Sequence, residues 1–187
     1  MVSFQYKDKS IAALSDTHGR HRELQIPETD ILVHCGDACN NGDLEELFDF
    51  FEWFSKTPAT HRIFVAGNHD LPFDLEPDLA LNLIPHNVVY LENRCERIAG
   101  IDFLSLPARP WLHFLPEKDF GEIDVLLTHC PAHSGQDNDP GCPLLKNFIN
   151  HAQPKYHLFG HLHEFGQRRW EEKGTVFLNI CTIFKKK

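Results

Sequence analysis

A layered α/β fold is the architecture this sequence predicts, and three observations predict it. Apolar runs of strand length recur along the chain, each leading into a polar cluster. One amphipathic helical segment lies between the second and third runs, so the first 70 residues read β–loop–β–α–β. The clusters themselves carry carboxylates, imidazoles and an amide: SDTHG at 15–19, GD at 36–37, GNHD at 67–70, TH at 128–129 and GHLH at 160–163. Open α/β sheets place ligands at the carboxyl ends of their strands, where side chains from several exits converge.

The elements follow in order. Ile11–Ser15 is an apolar run ending at Asp16 and reads as the first strand, and 21–28 is a polar connection. Ile31–Cys35 is the second strand, entering Gly36–Asp37. Asp43 suits an N-cap, and Glu45 and Glu46 place negative charge in the first helical turn. Leu44, Leu47, Phe48, Phe51 and Phe54 then mark one apolar face. Thr57–Pro58 ends that helix, and Ile63–Ala66 is the third strand, entering GNHD. Asp74–Asn82 reads as a short helix, with Pro77 tolerable near its start. Val88–Leu91 and Ile101–Leu106 read as strands, and Arg94–Arg97 as a turn or short strand. The loop at 107–116 holds Pro and Trp; Ile123–Thr128 is a buried strand ending at His129; 130–143 is a long loop. Leu144–His151 reads as a helix, Tyr156–Phe159 as the strand that delivers GHLH, and Thr175–Cys181 as the last strand.

The 187 residues suffice for one domain spanning 1–187, with 42% hydrophobic and 24% charged residues. Thirteen histidines are many, and several adjoin Asp, Gly or Asn. The net charge of −9 argues against stable binding along nucleic acid, because that depends on Lys and Arg. It leaves a phosphate substrate open, since bound cations invert the local field. The start MVSFQYKDKS has no apolar leader core, so the six cysteines read as reduced thiols of a cytoplasmic protein. No run reaches transmembrane length, which predicts no membrane association. The tail Lys185–Lys187 reads as a solvated end.

Seven residues at the strand exits make a mixed nitrogen and oxygen donor set: Asp16, His18, Asp37, Asn68, His129, His161 and His163. Such a set without thiolate suits Mn, Fe or Zn rather than a closed structural zinc site. Each cluster alone has an ordinary reading as a turn or a core imidazole; five of them in order do not. Seven donors exceed one ion with an open position but fit two ions sharing a carboxylate, as in two-metal hydrolytic sites.

The order D-x-H, GD, GNHD, TH, GHLH resembles the calcineurin-like metallophosphoesterase superfamily. GNHDLPFD and HLFGHLHE resemble most the small class III phosphodiesterase-like branch that includes brain-type metallophosphoesterase-domain proteins. The resemblance implies the calcineurin-like metallophosphoesterase fold, a sandwich of two mixed β-sheets flanked by helices with two divalent metals at one edge. It implies that Asp16, His18, Asp37 and His163 bind one metal and that Asp37, Asn68, His129 and His161 bind the other, with Asp37 shared. His69 would contact the phosphate and act on the leaving oxygen, and an imidazole is suited to proton transfer near neutral pH.

Two positions depart from the pattern. Many relatives carry a carboxylate three residues after the shared Asp, orienting the catalytic His; Asn40 stands there. Cys130 follows His129 where glycine is frequent, and Cys130 and Cys39 read as small apolar fillers. Loops 107–116 and 130–143 offer Arg109, Trp111 and His133 as substrate contacts. The expected function is a dinuclear-metal-dependent phosphoester hydrolase, a phosphodiesterase or phosphomonoesterase using a metal-activated hydroxide. Its expected partner is a small phosphoester, nucleotides included. The rivals are a metal-dependent nuclease, which needs a basic track absent here, and a non-catalytic binding scaffold on the same fold, which would not need His69.

Overall fold

The protein is described by a computed structural model covering residues 1–109, 111–115, 120–133 and 141–184. Residues 110, 116–119 and 134–140, which include parts of the two expected loops, and the tail 185–187 lie outside the described residues.

The first sheet contains β1 (Val2–Tyr6), β2 (Lys9–Leu14), β3 (Thr29–Cys35), β4 (Ala59–Val65) and β5 (Val89–Tyr90), in the order β1-β2-β3-β4-β5. The second contains β6 (Arg94–Ile98), β7 (Ile101–Ser105), β8 (Val125–Leu127), β9 (Tyr156–Phe159), β10 (Arg169–Glu172) and β11 (Thr175–Asn179), in the order β10-β11-β9-β8-β7-β6. Each sheet holds a parallel run: β2, β3, β4 and the edge strand β5 in the first, and β7, β8, β9 and β11 in the second. Antiparallel partners close the edges at β1, β6 and β10. The helices are α1 (Leu44–Phe54), α2 (Pro72–Leu75), α3 (Pro77–Asn82) and α4 (Pro143–Ala152). Among the described residues, no helix is long and apolar enough to cross a membrane.

Strand alternation explains the layers. Ile11 and Ala13, Ile31 and Val33, and Ile63 and Val65 point inward, against Phe103, Val125, Leu127 and Leu158 of the second sheet. The intervening Ala12, Leu14, Leu32 and Phe64 point outward and pack on α1. Leu104, Leu126 and Phe159 of the second sheet do the same against Leu145 and Ile149 of α4. Strands buried on both faces must be apolar throughout, which is why they read as continuous runs. Ser15 and Cys181 form a parallel bridge that joins the two sheets beside the exit of β2.

Helix α1 starts as expected: the Asp43 side chain accepts the Glu46 N–H at 2.8 Å. Its buried face is Leu47, Phe50, Phe51 and Phe54, not the set that includes Phe48, which is 58% exposed. Phe50 takes the inner place because the 47, 50, 51, 54 stripe meets the first sheet squarely, where the Phe50 ring contacts His34 and Phe64. Each such buried ring contributes roughly 1.5–3 kcal/mol.

Three further expectations are corrected. The segment before Ile11 is itself a strand, β1, joined to β2 by a turn at Lys7 and Asp8 with φ of 48° and 60°, as a tight hairpin requires. Strand β10 was not expected, and it pairs with β11 through the same kind of turn at Lys173–Gly174. The helix expected at 74–82 is two pieces, parted at Glu76 because Pro77 cannot continue the hydrogen bonding of α2.

Two imidazoles, His34 on β3 and His157 on β9, are fully buried between outer-face rings. Burial pushes the His157 imidazole down to about 3 and holds His34 well below the ordinary range. An unfolded histidine titrates near 6.5, so below that pH the unfolded chain takes up protons that the folded rings refuse. The stability these rings allow is therefore present above pH 6.5 and is lost as pH falls below it, for His157 at up to about 1.4 kcal/mol per pH unit down toward 3. Urea unfolding of metal-stripped protein between pH 7 and 5 checks this: His157→Gln should lose stability less steeply than the wild-type chain.

Candidate metal centre

Five parallel strands deliver the site. Asp16 follows β2, Asp37 follows β3, Asn68 follows β4, His129 follows β8 and His161 follows β9. The loops are locked together by main-chain bonds: Asp16 N–H to the Gly36 carbonyl at 2.9 Å, His18 N–H to that of Asp37 at 3.0 Å, and Gly19 N–H to that of Ala38 at 2.9 Å.

Four of the seven expected donors have left-handed backbone: Asp16, His18, Asp37 and His161, with φ of 57°, 43°, 56° and 66°. Non-glycine residues held there cost about 1–3 kcal/mol each and gather at functional sites. Close approach explains two glycines. A Cβ on Gly67 would strike Asp37 and come within 2.9 Å of His129, and one on Gly160 would strike Asp16 and Ser15.

The donors meet in two linked groups. In one, Asp16 Oδ1 lies 3.4 Å from His163 Nε2, and His18 Nε2 lies 3.3 Å from the same nitrogen. In the other, His129 Nε2 lies 3.3 Å from Asp37 Oδ2, with the His161 ring packed edge-on to His129 at 5.3 Å. Asp37 Oδ2 joins them, because it is also 3.8 Å from His18 Nε2. The His161 N–H donates to both Asp16 carboxylate oxygens at 3.1 Å, and Ser15 Oγ donates to Asp16 Oδ2. Donor atoms of Asp16, His18 and His163, and those of Asp16, Asp37 and His129, fall within 4.8 Å of one another.

Two buried atoms among these residues have no hydrogen-bond partner: Asn68 Oδ1 and His129 Nε2. A buried polar atom without a partner is costly, and a cation would satisfy both an amide oxygen and an imidazole lone pair. The His129 ring is oriented for that task by Nδ1, which donates to the Cys35 carbonyl at 2.8 Å. The donor set therefore fits divalent ions. Cys39 is a buried filler, whereas Cys130 Sγ lies within 4.8 Å of the donor nitrogens of His129 and His161.

The electrostatics agree. Burial alone would raise the Asp37 carboxyl, but the imidazoles of His129 and His18 and the His69 N–H outweigh it and bring it down to about 2. Burial would lower His129, but Asp37, Asp16 and the Cys35 carbonyl push it up to about 9. A cation at His129 would compete with that proton. Burial lowers His18 and His161.

His69 is exposed, and its ring sits edge-on to His18 at 4.9 Å. Its Nδ1 lies 3.0 Å from the Asn40 main-chain carbonyl, and its N–H donates to Asp37 Oδ1 at 2.8 Å. Asn40 thus orients the ring through its backbone, while its side-chain amide turns to Asn41.

Of the three expected substrate contacts, Arg109 and His133 have protein partners. The Arg109 guanidinium, 10% exposed, binds Glu92 at 2.6 Å and Asp74 at 2.9 Å. His133 is buried against Trp170 and Phe177, 3.3 Å from Glu172 on β10. Trp111 is 46% exposed on its loop.

Asp70 went unassigned in the sequence, although it closes GNHD. Its buried carboxylate accepts the N–H groups of Asp37 at 2.9 Å, Gly67 at 2.8 Å and Cys39 at 3.0 Å, tying the β3 and β4 exits together. Burial, helped by the charge of Asp37, raises it to about 6.

Comparison with known proteins adds three findings. A model of the calcineurin-like phosphoesterase family matches residues 9–165. The UPF0046 protein K07C11.7 of Caenorhabditis elegans is 32% identical, over 94% of this chain and 70% of its own length. Human metallophosphoesterase domain-containing protein 1 is 28% identical, over 91% of this chain and 65% of its own, so the chain spans about two thirds of such relatives. Among solved structures, the TT1561 protein of Thermus thermophilus superposes with a TM-score of 0.66 at 16% identity, covering 90% of this chain and 87% of that one. Phosphopantetheinyl hydrolase of Mycobacterium tuberculosis gives 0.63 at 14%, covering 92% and 88%. These two likenesses establish the sandwich fold.

Proposed function

The chain belongs to the calcineurin-like phosphoesterase family, and from that premise we propose that it hydrolyses phosphate mono- or diesters with the help of two divalent metal ions, Mn, Fe or Zn. The observation that carries the reading is the single Asp37 oxygen facing an imidazole from each donor group, 3.8 Å from His18 and 3.3 Å from His129. Asp16, His18, Asp37 and His163 would hold one ion; Asp37, Asn68, His129 and His161 the other. Bound there, the ions would supply Lewis acidity toward water and neutralise charge on the phosphoryl oxygens.

The protein's own groups do the rest. Asp16 and Asp37 hold the site negative, which draws cations in. The Asn40 carbonyl accepts a hydrogen bond from His69 Nδ1–H and so leaves Nε2 to face the substrate. When the ring is in its imidazolium form, the second proton on that atom can pass to the departing alkoxide, leaving the neutral Nδ1–H tautomer. The substrate class is a small phosphoester; the acidic balance of −9 speaks against a nucleic-acid strand.

Hydrolysis of bis-p-nitrophenyl phosphate and p-nitrophenyl phosphate by metal-stripped protein, with and without Mn²⁺, tests this. Turnover should appear only with metal, and the preferred compound separates diesterase from monoesterase. Uptake of two ions per chain with no turnover of any phosphoester would favour a binding scaffold instead.

A further inference from the structure

The two fully buried imidazoles that take no part in this chemistry occupy matching places in the two sheets. His34 lies on β3, three residues before Asp37; His157 lies on β9, four residues before His161. Each reaches sideways to a threonine at the exit of the neighbouring parallel strand. His34 Nε2 lies 3.2 Å from Thr17 Oγ1, and His157 Nε2 lies 2.8 Å from Thr128 Oγ1.

The direction of both bonds follows from their other partners. Gly36 N–H donates to His34 Nδ1 at 3.2 Å, so that nitrogen carries the lone pair and Nε2–H faces Thr17. Thr128 Oγ1 donates to the Cys130 carbonyl at 2.6 Å, so it must accept from His157 Nε2–H. Both rings therefore carry a proton on Nε2 and donate it to the threonine.

The threonines are placed to matter. Thr17 sits between Asp16 and His18, two residues in left-handed backbone. Thr128 precedes His129, and its bond to the Cys130 carbonyl spans that residue. Thr17, Thr128, His34 and His157 are all 0% exposed, so none of these bonds has water to replace it.

We propose that His34 and His157 are twin positioning residues, each of which sets one of the two metal subsites: His34 through Thr17 the subsite of Asp16, His18 and His163, and His157 through Thr128 the subsite of His129 and His161. The pairing rests on the two-metal reading above. It predicts that the two subsites can be loosened one at a time. Partners outside the ligand shell typically cost about 10–100-fold in metal affinity when removed.

The experiment titrates the metal-stripped protein with Mn²⁺ and reads bound ion by electron paramagnetic resonance. Two reference chains leave one subsite each: His161→Ala keeps the first, His163→Ala the second. In His161→Ala, adding His34→Leu should weaken the remaining site by about tenfold or more, and adding His157→Leu should leave it within about threefold. In His163→Ala the two effects should exchange. Glutamine places an amide N–H near the position of Nε2, so His34→Gln and His157→Gln should restore affinity; a purely space-filling role would not distinguish Gln from Leu in this way. Where a leucine variant does not fold, Thr17→Val or Thr128→Val removes the same acceptor and replaces it. Loss at both subsites from either single change, or at neither, overturns the pairing. A wild-type chain that binds fewer than two ions overturns the two-metal reading itself.

Discussion

Asp37→Asn is expected to abolish tight binding at both metal positions and to lower turnover by about 10³-fold or more, equivalent to some 4 kcal/mol of transition-state stabilisation. The substitution is close to isosteric, and asparagine tolerates the left-handed φ of 56° that this position requires. Its side-chain oxygen can still accept the His69 N–H. The fold should therefore survive, with a midpoint of thermal unfolding near that of the wild-type chain without metal. What goes is the charge on the oxygen between His18 and His129. One effect runs the other way: without Asp37 the His129 imidazole loses its main counter-charge and gives up its proton more readily, which favours metal binding. That gain is bounded by the cost of one proton, whereas the loss of the shared carboxylate falls on both ions. Metal titration and turnover of the same preparation check the balance. His163→Ala is the control, since it should weaken one position and spare the other. Near-normal turnover of Asp37→Asn with two ions bound would contradict the shared role of this carboxylate.

That the polar residues cluster at strand exits was readable from sequence for a physical reason. A strand buried on both faces is apolar to its last residue, so the first polar side chains mark where it emerges, and parallel strands emerge on one side. Asp16, Asp37, Asn68, His129 and His161 all obey this. His163 comes with His161 because both sit on one short loop. The residues that were not readable fail the same test from the other side. His34 and His157 lie inside apolar runs and read as core, which they also are; only their three-dimensional neighbours on the adjacent strands, Thr17 and Thr128, give them a second task. Asp70 was visible in GNHD, but a carboxylate accepting three main-chain N–H groups has no sequence signature distinct from a turn.

The edges were the least legible part of the fold. Val2–Tyr6 alternates in burial and makes a strand only because β2 offers it a partner, and the same holds for β10 beside β11. For β1 the signal was nonetheless present, since Val2, Phe4 and Tyr6 alternate with Ser3 and Gln5 and pack on the inner core, whereas β10, RWEE, carries one apolar residue in four. Arg109 shows what sequence leaves out at a loop. An arginine on a loop after a strand looks available for phosphate, but Glu92 and Asp74 claim it, and neither is near it in sequence.

His69→Asn is expected to lower turnover by about 10²–10³-fold while both metal ions remain bound, because general acid help of this kind is worth that much. The metal donors are untouched by the change, and the main-chain N–H that supports Asp37 Oδ1 stays in place. The size of the loss should depend on the alcohol released. A p-nitrophenolate leaves without protonation, so p-nitrophenyl esters should lose least, about tenfold, whereas alkyl esters should lose the full amount. A loss equal for all leaving groups would mean that the ring only holds the phosphate, and a loss of metal would mean that it only holds the site. Asn40 supplies the companion test. If a side-chain acid at this position were needed to orient His69, Asn40→Asp would raise activity strongly. The ring is oriented instead by the Asn40 main-chain carbonyl, 3.0 Å from Nδ1, with the side chain exposed and turned toward Asn41. A new charge there is screened by solvent, so Asn40→Asp should stay within about threefold of the wild-type rate across the same series of esters. The orientation of the His69 ring then depends on the main chain of the β3 exit, the loop that also carries Asp37.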